Sequence, residues 1–128
     1  MKVIEDKVTV YPPHAICRAD VPLILAALPP EWTEGIKTVR LSSAQQWPLH
    51  RARFMQIEGS LSICSRGQTR EATVHAILME LAVHGLGFRY QRGRHLPEKD
   101  AEQIRKIIAP LVETIVPKLS RKKVWLDR

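Results

Sequence analysis

The sequence predicts an α+β fold, and three stretches carry that prediction. Glu71–Phe88 is the longest run of good helix formers in the chain, apolar almost all the way round, and ends in Gly85 and Gly87. A helix of that kind must be covered by other elements, so it reads as the central helix. Arg53–Cys64 shows the clearest two-residue period, with Met55, Ile57, Leu61 and Ile63 on one parity and polar residues on the other. Ile104, Ile107, Ile108, Leu111 and Ile115 form the apolar stripe of a second long helix. Together they describe a small antiparallel sheet from the segments before residue 65, packed against a central apolar helix and a kinked C-terminal helix. All 128 residues fit one domain, with 118–128 as a basic tail.

The remaining elements follow in order. Lys7–Tyr11 is β-prone and is stopped by Pro12 and Pro13. Asp20 has the chemistry of an N-cap, and Leu23–Leu28 follows as a short helix closed by Pro29 and Pro30. Ile36–Leu41 suits a half-buried strand, and the polar stretch Ser42–Arg51, containing Pro48, a loop. Arg53–Cys64 is either one long strand bulged at Gly59 or a hairpin turning at Glu58 and Gly59. Ser65–Thr69 is a turn into the central helix, and Arg89–His95 is a basic loop out of it. Pro97 opens the second helix with Glu98 and Asp100 in its first turn, where acids complement the dipole. Pro110 interrupts the stripe, which predicts a kink or a break after Ile108.

Composition narrows the classes. With 45% hydrophobic and 26% charged residues, the chain is neither disordered nor extreme. No run approaches the roughly 18 apolar residues of a membrane span, and the N-terminal Met-Lys-Val-Ile-Glu-Asp-Lys has acids where a signal peptide is apolar. A cytoplasmic location is the expectation, with Cys17 and Cys64 reduced. The net charge of +7 is uneven: residues 1–88 hold nine basic and eight acidic side chains, residues 89–128 eleven and five. The basicity belongs to the last third.

Three polar side chains interrupt the central helix: His75, Glu80 and His84. Glu80 and His84 are four apart and share a face, whereas His75 lies about 140° from Glu80 on the opposite side from His84. A Glu–His pair at that spacing either holds a metal such as zinc or makes an ordinary polar pair. No catalytic triad is visible around the serines.

The order of elements resembles a minimal zincin metallopeptidase. In that family an antiparallel strand runs along the cleft and precedes a helix bearing His-Glu-x-x-His, and a third ligand comes from farther on. Leu61–Cys64 stands where that strand belongs, Met79–Phe88 is similar to the active helix, and Leu96–Glu102 to the segment supplying an acidic ligand. The resemblance covers roughly residues 35–108 as a pattern of elements. It departs at the motif itself. With Glu80 on the catalytic Glu, Met79 and Val83 occupy the ligand positions; with His84 on the second His, the base position is Leu81. The resemblance therefore implies a zincin-like domain without an intact catalytic motif and no competent peptidase. A metal, if held, falls to Glu80, His84 and one of Glu98 or His95; if the chain is an enzyme, it is a zinc-dependent hydrolase.

Two further classes remain. Arg89, Arg92 and Arg94 alternate with Tyr90, Gln91 and Gly93, and Lys118, Arg121, Lys122 and Lys123 form a second cluster beside Trp125. Such groups pair with phosphates and stack on bases, which makes a nucleic-acid-binding module the first alternative. A protein–protein adaptor is the second.

Overall fold

The computed structural model describes residues 1–45 and 51–119. Four strands, β1 (Lys2–Glu5), β2 (Thr38–Leu41), β3 (Ala52–Met55) and β4 (Ser60–Ile63), form one sheet in the order β1-β2-β4-β3. Four helices accompany it: α1 (Asp20–Ala26), α2 (Pro30–Thr33), α3 (Arg70–Gly85) and α4 (Glu98–Ile115). The α+β class stands. The sheet, however, is mixed: β1 with β2 and β2 with β4 run parallel, and only β3 with β4 is antiparallel.

Strand chemistry accounts for one face of the sheet. Val39 and Leu41 of β2, Ala52 and Phe54 of β3, and Leu61 and Ile63 of β4 are all buried. The alternate positions Arg40, Arg53 and Met55 are exposed, so the core lies on one side of the sheet only. On that side α3 contributes Val74, Ile77, Leu78, Leu81 and Val83, and α4 adds Ile104, Ile108, Val112 and Ile115. No residue of α3 after Ala72 is exposed. The covering expected for an all-round apolar helix is therefore present.

The hairpin alternative for Arg53–Cys64 is the one adopted, with a turn at residues 56–59 and Gly59 at φ 69°. That turn breaks the single parity read from the sequence. It sets Phe54 opposite Leu61, so even residues face the core on β3 and odd residues on β4. Met55 is 37% exposed and Ile57 fully so, both displaced from the core the periodicity gave them. Leu61–Cys64, which the zincin resemblance puts at the cleft, overlaps β4 inside the sheet; the edge position belongs to β3.

Three other expectations are corrected. The N-terminal strand is Lys2–Glu5, not Lys7–Tyr11, because its Val3 and Ile4 register with Val39 and Arg40 of β2. Asp20 is the first residue of α1, and its carboxylate accepts from the Cys17 N–H at 3.0 Å, closing the turn before the helix. The C-terminal helix does not stop at Ile108; α4 runs on past Pro110 to Ile115. Pro110 and Lys106, whose carbonyl loses its helical donor, are both exposed, so water can replace the missing bond. None of the described helices is long and apolar enough to cross a membrane.

Candidate functional site

The sheet order leaves β3 at an edge, and the edge is where α3 meets it. The bonds Cys64 N–H to Arg51 C=O and Gly59 N–H to Met55 C=O show that odd residues turn their backbone groups toward β4. Ala52 and Phe54 therefore turn theirs outward. The Phe54 N–H is met there by Glu80 of α3, whose Oε2 accepts it at 2.6 Å. A helix side chain thus caps one donor of the edge strand.

Glu80 gathers further donors. Tyr90 Oη donates to Oε1 at 2.5 Å, and Arg94 Nη2 reaches Oε1 at 3.2 Å and Oε2 at 3.0 Å. The Arg94 guanidinium also lies over the Tyr90 ring, 4.5 Å from its centre. Glu80 itself is 1% exposed. Arg94 arrives through a tight loop in which a short 3-10 turn, Arg92–Arg94, is closed by a bridge between Gln91 and His95. Gly93 and Arg94 sit at φ 75° and 58°. The left-handed conformation costs a non-glycine residue about 1–2 kcal/mol, which the buried ion pair offsets.

His84 lies next to Glu80 as the helical spacing requires, with Nε2 3.6 Å from Oε2. That is ion-pair range and beyond hydrogen-bond reach. Nε2 is buried and has no hydrogen-bond partner among the described residues, and the ring packs edge-on to Phe54. Burial opposes the charge on Glu80. The His84 imidazole, the Tyr90 hydroxyl, the Phe54 N–H and the Arg94 charge outweigh it, holding the pKa at about 2. Tyr90 is pushed the other way, above the usual phenol range, first by burial and then by its bond to the carboxylate.

This arrangement does not suit a metal centre. Both Glu80 oxygens are engaged, and a divalent cation there would stand beside the Arg94 guanidinium. Glu98, the third ligand of the sequence reading, has a side chain 81% exposed and paired with Arg105. His95 is exposed and joins the site only through its backbone bridge. Among the described residues no three of His, Cys, Asp and Glu gather as a ligand set. Nor does Glu80 suit general-base work: a carboxylate with pKa about 2 is too weak a base to take a proton from water near neutral pH.

A pocket of about 230 Å³ opens beside the carboxylate. Ala76 and Met79 of α3, Ala101 of α4 and Leu96 give it apolar walls. Arg51 and Ala52 at the start of β3, with Glu80 and Tyr90, supply its polar groups. Sequence reasoning missed Arg51 and took Tyr90 as a stacking group, because neither lies near Glu80 on one helix face.

The basic candidates divide. Arg94 is turned inward onto Glu80, while Arg89, Arg92 and Lys118 are exposed. Arg121, Lys122 and Lys123, and Trp125 beside them, lie outside the described residues. His75 faces Arg105 and Glu71 rather than Glu80, and burial followed by the Arg105 charge lowers its pKa. No family model matches the chain, and neither a curated protein nor a solved structure matches it.

Proposed function

We propose that this chain is a zincin-like domain that holds an extended peptide along β3 without hydrolysing it. The observation that carries the reading is the state of Glu80. In a peptidase of this design the helix carboxylate must be free to take a proton from water. Here it is buried, ionised and tied to Phe54, Tyr90 and Arg94, so it has become a structural anchor. The anchor leaves the adjoining pocket beside the start of β3 available. An edge strand beside an apolar pocket favours strand-like peptide capture, with main-chain bonds for affinity and the pocket for choice. This takes the adaptor alternative and gives it a place on the molecule.

The exposed Arg89 and Arg92 supply the basic loop with two outward cations instead of three.

Amide NMR of the isotope-labelled protein with a pool of short unstructured peptides tests the proposal, with mass spectrometry of the same samples. Shifts concentrated at Ala52, Tyr90 and Leu96, with the peptides intact in the presence and absence of zinc, are expected. Cleavage that disappears in Glu80→Gln would overturn it.

A further inference from the structure

We infer that the face of the sheet turned away from α3 and α4 binds the backbone of a single-stranded nucleic acid, on Arg40, Ser62 and Arg53. The inference is independent of the peptide reading, which concerns the other side of β3.

Strand register builds the surface. Arg40 of β2 lies opposite Ser62 of β4, and Ser62 lies opposite Arg53 of β3, so the three form one row across adjacent strands. The next row is Thr38, Ser60 and Met55. The described helices place their buried apolar residues in the core on the other side, and Arg40, Arg53 and Met55 are exposed. On this face β4 carries only Ser60 and Ser62, so its longer-chained neighbours border a shallow trough above it. The two arginines start roughly 10 Å apart, twice the strand spacing, and both side chains can reach an anion held above Ser62.

Unused donors set the charge of the ligand. Among the described residues neither a hydrogen bond nor a carboxylate engages the Arg53 guanidinium. Arg40 gives one N–H to Asp6 at 3.1 Å, and its side chain is still 51% exposed. Two acids stand at the rims of the face, Asp6 on Arg40 and Glu58 on the Ser60 hydroxyl at 3.4 Å. Against them, Arg51 and Arg66 donate to the neutral carbonyls of Gln45 and Ser43 at the strand ends beside this row. Their charges are not cancelled locally, and they raise the potential over the row without contacting the ligand. Guanidinium and hydroxyl groups in alternation suit phosphate, whose oxygens accept from both. A sheet face four strands wide cannot enter a duplex groove as a helix or two-stranded ribbon does. A single strand fits, because its bases can lie against the guanidinium planes and Met55.

The test is fluorescence anisotropy at low salt with labelled oligothymidylate about 12 nucleotides long. The wild-type protein should bind it. Arg53→Gln should weaken binding about threefold to tenfold and lower the salt slope by about one phosphate's share. Ser62→Glu, which sets a carboxylate between the two arginines, should weaken it about tenfold or more. Because Arg53 makes no bond in the fold, its variant keeps the wild-type thermal midpoint and decides the matter even if Ser62→Glu unfolds. No binding by the wild type, or affinity unchanged in Arg53→Gln, would overturn the inference. A loss confined to Arg89→Gln with Arg92→Gln would move the contact to the basic loop and overturn it too. A duplex of the same length binding equally well, or an oligoglutamate competing equally well, would overturn the single-strand assignment. None of these outcomes bears on peptide capture.

Discussion

Glu80 is buried with the partly exposed Arg94 guanidinium against it, and removing either leaves a charge without its partner. Glu80→Gln keeps the shape but strips the countercharge from Arg94. A loss of about 3 kcal/mol of unfolding free energy is expected in urea denaturation, the cost typical of breaking a buried pair. The pH dependence has a definite sign. The folded pKa of about 2 lies below the ordinary 4.5, so Glu80 stabilises the fold fully above pH 4.5 and loses that contribution as pH falls toward 2. The acid limb of a stability–pH curve should therefore flatten in Glu80→Gln. The Glu80–His84 neighbourhood was legible in the sequence, because spacing along a helix fixes it. The Arg94 partner was not. Its approach depends on two consecutive left-handed residues, Gly93 and Arg94, and no local pattern announces an arginine there.

Elements were legible wherever one face is buried and one is not. The helix Arg70–Gly85 begins within a residue of the predicted start, where Thr69 Oγ1 accepts from the Ala72 N–H at 3.0 Å. Strand order was not legible, because pairing β1 beside β2 depends on residues about 35 positions apart that share only a hydrophobic pattern. The β3–β4 parity failed for a related reason: the turn at residues 56–59 reverses which parity faces inward. Two substitutions test the helices. A Cβ at Gly85 would stand 2.3 Å from Trp32 Cδ1 and 2.9 Å from the Trp32 Cα, so Gly85→Ala should cost about 1–3 kcal/mol despite its better helix propensity. Pro110→Ala, on the exposed side of α4, should instead raise the thermal midpoint, with about 2 kcal/mol gained from the restored helical bond.

At the scale of the whole molecule, one residue links the sheet, the central helix and the basic loop. Glu80 of α3 holds the edge of β3 through Phe54 and the loop through Tyr90 and Arg94, and these same elements line the pocket. A domain built this way gains rigidity at the cost of a base. Carbon-13 NMR of the Glu80 side-chain carboxylate across pH, with and without added zinc, tests that claim most directly. A midpoint near pH 2, unmoved by zinc, is the result expected of an anchored, structural carboxylate. A midpoint at or above the ordinary 4.5, or a signal that moves when zinc is added, would contradict it and return Glu80 to the chemistry of a peptidase.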